Sequence, residues 1–207
     1  MDLYLFDFDK TLYAFDFRRR LPALADMTGA SQYRLASRWW AGGYERRAEA
    51  GEWPTSAEYL AEFERVTGAA LSLDQWRAAR ALASTRIPGS MAALARAATL
   101  GTAAVFSNNP SPFAESLAVL APDVVEIVGP RAMVSCQIGL RKPDPAAFAA
   151  VLDRLGATPE NTFFADDSPS NVAGAAGLGI TAHLLAYVDG VPQTGALDAA
   201  ITAFAER

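Results

Sequence analysis

Two carboxylates, Asp7 and Asp9, stand two residues apart where the short apolar run Leu3-Tyr4-Leu5-Phe6 ends. Side chains of an extended strand repeat with a period of two, so both carboxylates project to the same side. Like charges this close are costly unless a cation neutralises them or one of them accepts a proton. The pair predicts a Mg²⁺ site with one carboxylate free to act as a nucleophile. The alternative is a polar strand end that leads into a loop.

A second acidic pair, Asp166 and Asp167, follows the apolar run 161–165. Mg²⁺ takes oxygen ligands from one or two carboxylates, and water and substrate phosphate complete its shell. An acid at this position can instead cap the following helix, where it meets the positive end of the helix dipole. One Asp suffices for a cap, so two favour a metal site.

Uncharged polar groups follow a third apolar run, 101–106, in the sequence Ser107-Asn108-Asn109. A short hydroxyl, an amide and backbone N–H groups can hold phosphoryl oxygens without adding charge. Ser and Asn are also ordinary turn residues, and taken alone this cluster is better explained as a turn.

Lys142 is one of only two lysines, with Lys10, among 18 basic residues. Pro143 keeps Lys142 out of the α region, which can aim its ammonium at the strand ends. The alternative is an exposed basic pair with Arg141 at a helix start, but the rarity of lysine favours a functional role. The single histidine, His183, and the single cysteine, Cys136, leave almost nothing for a Ser-His-Asp triad or a zinc site.

Apolar runs that alternate with helical patterns predict a parallel sheet covered by helices on both faces. The predicted strands are 3–6, 101–106, 123–128, 161–165 and 179–185, and the predicted helices are 90–100, 112–120, 144–156, 168–177 and 196–205. Ligands bind at the carboxyl ends of the strands in such sheets. The acidic pairs and the Ser107 cluster all follow strand ends, so we expect them to converge at one edge.

Roughly 90 residues separate the first two predicted strands, although a crossover needs only about a dozen. Residues 14–86 contain no predicted strand and show four helical patterns, 17–27, 31–44, 56–66 and 73–84. The predicted organisation is therefore a sheet domain of residues 1–13 and 87–207 with an inserted helical module of residues 14–86. That module would lie over the polar edge like a lid.

Composition limits the partners of the chain. Lys and Arg number 18 against 23 Asp and Glu, a net charge of −5, which argues against nucleic acid or an anionic membrane surface as the main partner. No apolar stretch approaches the ~18 residues needed to cross a bilayer, and the N-terminus does not resemble a signal peptide. We expect a cytoplasmic protein. The charge balance remains compatible with a single anionic substrate held by a few local cations, and the oligomeric state is left open.

The four clusters in this order resemble the four motifs of the haloacid dehalogenase (HAD) superfamily of phosphohydrolases: Asp7-Phe8-Asp9-Lys10-Thr11, Ser107-Asn108-Asn109, Lys142-Pro143-Asp144 and Asp166-Asp167. The resemblance runs from the first strand to about Leu185. It implies a Rossmann-like α/β core with an all-helical cap at 14–86. The stretch 163–172 is most similar to members with a helical cap, including the pyrimidine 5′-nucleotidase-like branch. Lys10 stands where many members have Gly, a variant that the superfamily tolerates.

The resemblance also implies a role for each motif residue. Asp7 would attack phosphorus and form an aspartyl-phosphate, while Asp9 would act as general acid and then general base. The phosphoryl group would be held by Thr11, Ser107, Asn108 and Lys142, and Lys142 would also offset the charge of the nucleophile. Mg²⁺ would be bound by Asp7, the backbone carbonyl of Asp9, Asp166 and Asp167, with Asp167 aligned to the usual direct ligand and Asp166 a second ligand or an outer-shell partner.

The leading function implied is a Mg²⁺-dependent phosphatase acting on a small phosphorylated metabolite, such as a nucleotide or a sugar phosphate. Three alternatives are weighed against it. A phosphomutase would reuse the aspartyl-phosphate, and a 2-haloacid dehalogenase would dispense with Mg²⁺ and lack the acid at Asp9. A catalytically silent binding or regulatory protein would have no reason to keep mutually repelling carboxylates.

Overall fold

Nine strands form one five-stranded sheet and two antiparallel pairs in the computed structural model, which describes residues 1–207. The strands are β1 (Leu3–Phe6), β2 (Tyr13–Phe15), β3 (Ser84–Arg86), β4 (Thr102–Ser107), β5 (Ala132–Val134), β6 (Thr162–Asp166), β7 (Thr181–Leu184), β8 (Tyr187–Val188) and β9 (Val191–Pro192). The main sheet has the order β5-β4-β1-β6-β7, and every neighbouring pair in it is parallel. This confirms the predicted α/β fold with a parallel sheet.

Twelve α-helices surround the sheet or lie in the segment between β2 and β3. They are α1 (Phe17–Thr28), α2 (Gln32–Leu35), α3 (Tyr44–Glu49), α4 (Ser56–Thr67), α5 (Leu73–Ala83), α6 (Pro88–Leu100), α7 (Ser111–Leu120), α8 (Pro122–Val128), α9 (Ser135–Ile138), α10 (Pro145–Leu155), α11 (Pro169–Ala176) and α12 (Thr194–Ala205). A π-helical turn, Ala36–Trp40, follows α2 directly. None of these helices is long and apolar enough to cross a membrane.

The central strand β1 is apolar throughout because both of its faces are covered. Tyr4 and Phe6 belong to one cluster of buried apolar residues, whereas Leu3 and Leu5 belong to a second cluster. Alternate side chains of a strand point to opposite faces, so the two clusters lie on opposite sides of the sheet. The absence of a polar alternation in the sequence of β1 follows from this position.

The helical insertion, residues 17–83, leaves and rejoins the sheet domain through a short antiparallel ladder. Tyr13 pairs with Arg86 and Phe15 with Ser84, which joins β2 to β3. The prediction of no strand within 14–86 is therefore wrong at both ends. Three-residue strands such as Ser-Thr-Arg carry no apolar pattern, and their pairing partners lie about 70 residues away.

The prediction of a strand at 123–128 is also wrong. These residues form α8, which begins at Pro122, a residue suited to the first turn of a helix. Val124 and Val128 are its buried residues, four apart on one helix face. A short apolar run does not by itself distinguish a strand from a buried helix, and the edge strand of the sheet is instead β5.

Candidate active site

The register of the central strands places the predicted residues at one edge of the sheet. Phe6 on β1 pairs with Val105 on β4 and with Ala165 on β6. Asp7 follows Phe6 directly, and its backbone N–H donates to the Ala165 carbonyl at 2.9 Å. Because the strands are parallel, the carboxyl ends of β1, β4 and β6 lie side by side. This brings Asp7, Ser107 and Asp166 together as predicted.

The ammonium of Lys142 lies at the centre of the site. Its Nζ donates to Asp7 Oδ1 at 2.6 Å, to Asp166 Oδ2 at 2.7 Å and to the Phe106 carbonyl at 2.7 Å, so all three of its donors have acceptors. The side chain is 0% exposed. Burial acts to lower the pKa of Lys142, but the Asp7 and Asp166 carboxylates outweigh it and raise that pKa. The ammonium therefore lies buried between two acids whose charges favour its protonated form.

Asn108 holds the backbone of Lys142 in place. Its Nδ2 donates to the Lys142 carbonyl at 2.9 Å, and its Oδ1 accepts from the Lys142 N–H at 2.9 Å. Both ends of the side-chain amide are thus engaged with one residue, which leaves the backbone N–H of Asn108 for the predicted contact with a phosphoryl group. Gly174 on α11 packs closely against the loop that carries Lys142 and Pro143. A Cβ added at Gly174 would lie only 2.4 Å from the Pro143 carbonyl oxygen.

Three carboxylates form a cluster that could hold a metal ion. One oxygen each from Asp7, Asp166 and Asp167 lie within 4.8 Å of one another. Asp166 is fully buried and also accepts from the Ser168 N–H at 2.8 Å and from Asn171 Nδ2 at 3.0 Å. Asp167 is half-buried and its carboxylate accepts no hydrogen bond within the protein. The free carboxylate of Asp167 is the one best suited to bind a cation directly.

The raised pKa values of the carboxyl groups in this cluster show why a cation fits there. Burial raises the pKa of Asp7 well above its usual range, and the nearby Asp166 carboxylate adds to the rise while Lys142 opposes it. Burial and Asp166 also raise the pKa of Asp167. A hard divalent cation among these oxygens would supply the positive charge that one ammonium cannot, and Mg²⁺ takes such ligands.

Asp9 has both carboxylate oxygens occupied. Arg80 Nη2, from the helical insertion, donates to Asp9 Oδ1, and Asn109 Nδ2 donates to Asp9 Oδ2 at 2.9 Å. Asn109 Nδ2 also donates to Ser107 Oγ at 2.8 Å. Neither contact was predicted from the sequence, where Arg80 was not singled out and Asn109 was named only as part of the Ser107 cluster. The sequence did contain one indication that Arg80 is buried, since it lies on the same helix face of α5 as the apolar residues Trp76 and Ala83.

Two buried hydroxyl groups belong to residues predicted to hold the phosphoryl group, Thr11 and Ser107. Thr11 is fully buried, and its Oγ1 has no hydrogen-bond partner within the protein. Ser107 is buried too, and its Oγ is held as an acceptor by Asn109. An unpaired buried hydroxyl costs free energy, so a ligand oxygen at Thr11 would supply the missing partner.

A cavity of about 330 Å³ opens beside Asp167. Its walls are Lys10, Ala14, Phe15, Asp167 and Tyr187. Tyr187 Oη donates to the Lys10 carbonyl at 2.6 Å, which ties the β8–β9 hairpin to the loop after β1. Lys10 adopts a left-handed conformation, φ +59°, that residues other than glycine rarely take. The cavity is large enough for a small organic group.

Two residues singled out in the sequence, His183 and Cys136, lie on elements next to this edge but form no side-chain hydrogen bond with the site residues. His183 is on β7, where its ring stacks at 6.3 Å on Phe163. Cys136 is buried, and burial raises the pKa of its thiol to about 12.

Comparison with known proteins places the chain in a family. A family model described as haloacid dehalogenase-like hydrolase matches residues 1–179. The chain belongs to this hydrolase family. Among curated proteins, a phosphoglycolate phosphatase of Rhodospirillum rubrum is 33% identical over 104 residues, which is 48% of this chain and 41% of that relative. The chain therefore aligns with less than half of the relative's length.

Solved structures of the HAD family share the fold. A HAD family enzyme of Bacteroides thetaiotaomicron superposes with a TM-score of 0.76 at 22% identity, over 90% of this chain and 94% of that chain. The same enzyme has been solved in complex with magnesium and inorganic phosphate, with a TM-score of 0.73. A 2-haloacid dehalogenase of Pseudomonas syringae superposes with a TM-score of 0.68 at 20% identity, over 99% of both chains.

Proposed function

We propose that this HAD hydrolase is a Mg²⁺-dependent phosphatase that acts on a small phosphomonoester through an aspartyl-phosphate on Asp7. The observation that carries the proposal is the carboxylate cluster, in which Lys142 bonds to Asp7 and Asp166 while an oxygen of Asp167 lies within 4.8 Å of oxygens of both. Support comes from the phosphoglycolate phosphatase relative and from the fold neighbour solved with magnesium and phosphate. A 2-haloacid dehalogenase has the same fold, but Asp9 favours the phosphatase because it supplies an acid two residues after the nucleophile.

In the first step, an oxygen of the Asp7 carboxylate attacks phosphorus as the bond from phosphorus to the leaving oxygen breaks. The electron pair of that bond goes to the leaving oxygen, which takes a proton from Asp9. Lys142 reduces the repulsion between the Asp7 carboxylate and the phosphate. A bound Mg²⁺ would supply further positive charge against the phosphoryl oxygens.

In the second step, Asp9 accepts a proton from a water molecule whose oxygen attacks phosphorus. The bond between phosphorus and Asp7 breaks, its electron pair returns to the Asp7 carboxylate, and inorganic phosphate is formed. We assign the contacts to the phosphoryl oxygens to the Thr11 hydroxyl, the Ser107 hydroxyl, the Asn108 backbone N–H and Lys142. The unpartnered Thr11 Oγ1 supports this assignment most directly.

We assign residues 14–86 the role of a helical cap over a core of residues 1–13 and 87–207. Support comes from Arg80, which reaches from α5 of the insertion to Asp9 in the site. Arg141 Nη2 also bridges to Glu49 Oε2 on α3 at 2.7 Å, so a second ion pair spans the insertion and the sheet domain. The β2–β3 ladder at the two crossings is the expected hinge.

The cavity beside Asp167 is the proposed position of the leaving group. Phe15 and Tyr187 offer aromatic walls, and Lys10 offers a cation at the rim. Its volume of about 330 Å³ suits the alcohol part of a nucleotide or a sugar phosphate. The resemblance of residues 163–172 to the pyrimidine 5′-nucleotidase-like branch supports the nucleotide among these.

A screen of phosphorylated metabolites with added Mg²⁺ tests the proposal. We expect release of inorganic phosphate from at least one small monoester, and loss of that activity in Asp7→Asn. A phosphomutase would instead return an isomeric phosphate ester without free phosphate. A dehalogenase would release halide from a 2-haloacid in the presence of EDTA, and that result would overturn the phosphatase assignment.

A further inference from the structure

A second cavity adjoins the cavity beside Asp167. This outer cavity has a volume of about 320 Å³, and its walls include Ala14, Phe15, Arg18, Arg19, Thr85 and Gly190. Two residues of β2, Ala14 and Phe15, line both cavities. The β8–β9 hairpin also reaches both, since Tyr187 lines the cavity beside Asp167 and Gly190, at the turn, lines the outer one. A substrate that fills both cavities would therefore run from the carboxylate cluster into the outer cavity.

The outer cavity carries an excess of positive charge. Asp16 is the only acid that lines it, and this carboxylate is already paired. Arg18 Nε donates to Asp16 Oδ1 at 3.1 Å and Arg18 Nη2 donates to Asp16 Oδ2 at 3.4 Å, so these two charges offset each other. Arg19 is exposed, and its side chain forms no hydrogen bond or ion pair within the protein. The guanidinium of Arg19 is therefore the unpaired charge in the wall of the outer cavity.

The stability of α1 does not account for Arg19. The helix begins at Phe17, so Arg19 stands in its first turn, where a cation opposes the helix dipole and an acid would be favoured. A guanidinium presents its donors in a planar fork that fits the oxygens of a phosphate or a carboxylate. An oxyanion on a ligand would give Arg19 the partner that the chain itself does not supply.

Lys10 and Arg19 place two cations at different distances from the carboxylate cluster. Lys10 lines the same cavity as Asp167, so a negative group close to the scissile phosphate would meet Lys10. A negative group further along the substrate would lie beyond Phe15, in the outer cavity, and would meet Arg19. The separation between the second charge and the scissile bond therefore decides which cation the charge meets.

We propose that Arg19 is a specificity-determining residue that binds a second oxyanion, a phosphate or a carboxylate, at the far end of the substrate. The inference rests on the phosphatase function proposed above and names its substrate class, phosphomonoesters whose alcohol carries a distal negative charge. The chemistry takes place at Asp7, so Arg19 acts on binding and not on the reacting atoms. Its contribution should therefore appear in KM rather than in kcat.

Linear alkyl phosphates provide substrates that separate the two cations. Each carries a phosphate ester at one end and a second phosphate, a carboxylate or a neutral hydroxyl at the other, and chains of two to about eight carbons set the distance. We define the charge preference as kcat/KM for an anionic ester divided by kcat/KM for the hydroxyl ester of equal length, with the value for a bisphosphate halved because its two ends are equivalent. Both esters undergo the same reaction, so the charge preference measures recognition of the second charge.

The measurement is release of inorganic phosphate with Mg²⁺ by wild type, Arg19→Gln, Arg19→Lys and Arg34→Gln. For the longer chains we expect a wild-type charge preference of about threefold to fivefold, the size expected of one exposed ion pair. Arg19→Gln should bring it near one through a higher KM, and Arg19→Lys should keep part of it. The charge preference for two-carbon chains should not depend on Arg19. Arg34→Gln removes the same charge from an exposed residue of α2 outside both cavities and should match the wild type.

An unchanged charge preference for long chains in Arg19→Gln would overturn the proposal, and so would an equal loss in Arg34→Gln or a loss confined to kcat. A loss for the bisphosphates alone supports the proposal with phosphate as the oxyanion, and a loss for the carboxylates alone supports it with carboxylate. Failure of the function itself is distinct from these outcomes. A wild-type enzyme that releases no phosphate from any chain would refute the phosphatase, whereas release without any charge preference would refute only the role of Arg19.

Discussion

At the scale of single residues, the two acids after β1 have different surroundings and therefore different roles. Asp7 is buried and bonded to Lys142, whereas Asp9 faces Arg80 and Asn109. Asp7→Asn should abolish turnover, because an amide cannot form the phospho-intermediate. Asp9→Asn should slow the reaction by ~10²–10⁴-fold, the usual contribution of general acid–base catalysis. Phosphate release under saturating substrate measures both, and wild-type rates in Asp7→Asn would show that another group is the nucleophile.

Lys10 allows a second prediction at this scale. Its backbone conformation destabilises the fold, whereas its side chain places a cation at the cavity beside Asp167. At φ +59° a lysine is strained by roughly 1 kcal/mol relative to glycine. Lys10→Gly should therefore leave the free energy of unfolding unchanged or raise it. The same change removes the cation from the cavity beside Asp167.

We expect Lys10→Gly to lower kcat/KM at least fivefold for phosphate esters whose alcohol carries a carboxylate, relative to matched esters with a neutral alcohol. Urea unfolding and paired kinetic assays give the two quantities, and Lys10→Gln is the control that removes charge but keeps length. If the ratio of the two kcat/KM values did not change in either variant, Lys10 would have no part in substrate choice.

At the scale of elements, the apolar runs predicted the strands that carry the site, since β1, β4 and β6 are buried on both faces. Their parallel order then required Asp7, Ser107 and Asp166 to meet, so the convergence of these three strand ends followed from the sequence. The ladder β2–β3 and the contact of Arg80 with Asp9 could not be predicted. Both depend on pairing across about 70 residues, which no local pattern of side chains encodes.

Helix α3 and the loop before α10 give the prediction at this scale. Glu49 on α3 accepts from Arg141 at 2.7 Å and 2.9 Å across the contact of insertion and sheet domain. Burial nevertheless raises the pKa of Glu49 to about 7, although Arg141 opposes the rise. The folded state thus binds a proton that the unfolded state releases near pH 4.5. Stability should therefore fall as the pH rises from about 4.5 to about 7, and change little from this group above that range.

Glu49→Gln should remove this fall, which amounts to at most about 3 kcal/mol for one group. The measurement is the free energy of unfolding in urea from pH 4.5 to pH 8, for wild type and variant. Exposed Glu64 on α4 provides the control, since Glu64→Gln should leave the pH profile as it is. The free energies of unfolding of wild type and Glu49→Gln should diverge as the pH rises. Free energies that instead converge toward high pH would contradict the sign of the effect.

At the scale of the whole molecule, the site is assembled from segments distant in the chain. Asp7 follows the first strand, Lys142 precedes α10, and Asp166 and Asp167 lie at the end of β6. Folding brings the Asp7 carboxylate close to those of Asp166 and Asp167, and the three carboxylates repel one another there. A cation that binds this cluster therefore binds the native state and not the unfolded one, and it adds to the stability of the entire fold by mass action.

Mg²⁺ should accordingly raise the midpoint of thermal unfolding, and EDTA should lower it and abolish phosphatase activity reversibly. At a free Mg²⁺ concentration 100 times the dissociation constant, the gain is about 2.7 kcal/mol. Asp167→Asn should remove most of this gain, because the free carboxylate of Asp167 is the proposed direct ligand, while apo Asp167→Asn should be as stable as the apo wild type or more so, since one repelling charge is gone. Differential scanning fluorimetry over a Mg²⁺ titration measures the shift, with Asp153→Asn on α10 as a control away from the cluster. A full Mg²⁺ shift in Asp167→Asn would move the direct ligand to Asp166, and full activity in metal-free enzyme would remove the metal from the mechanism.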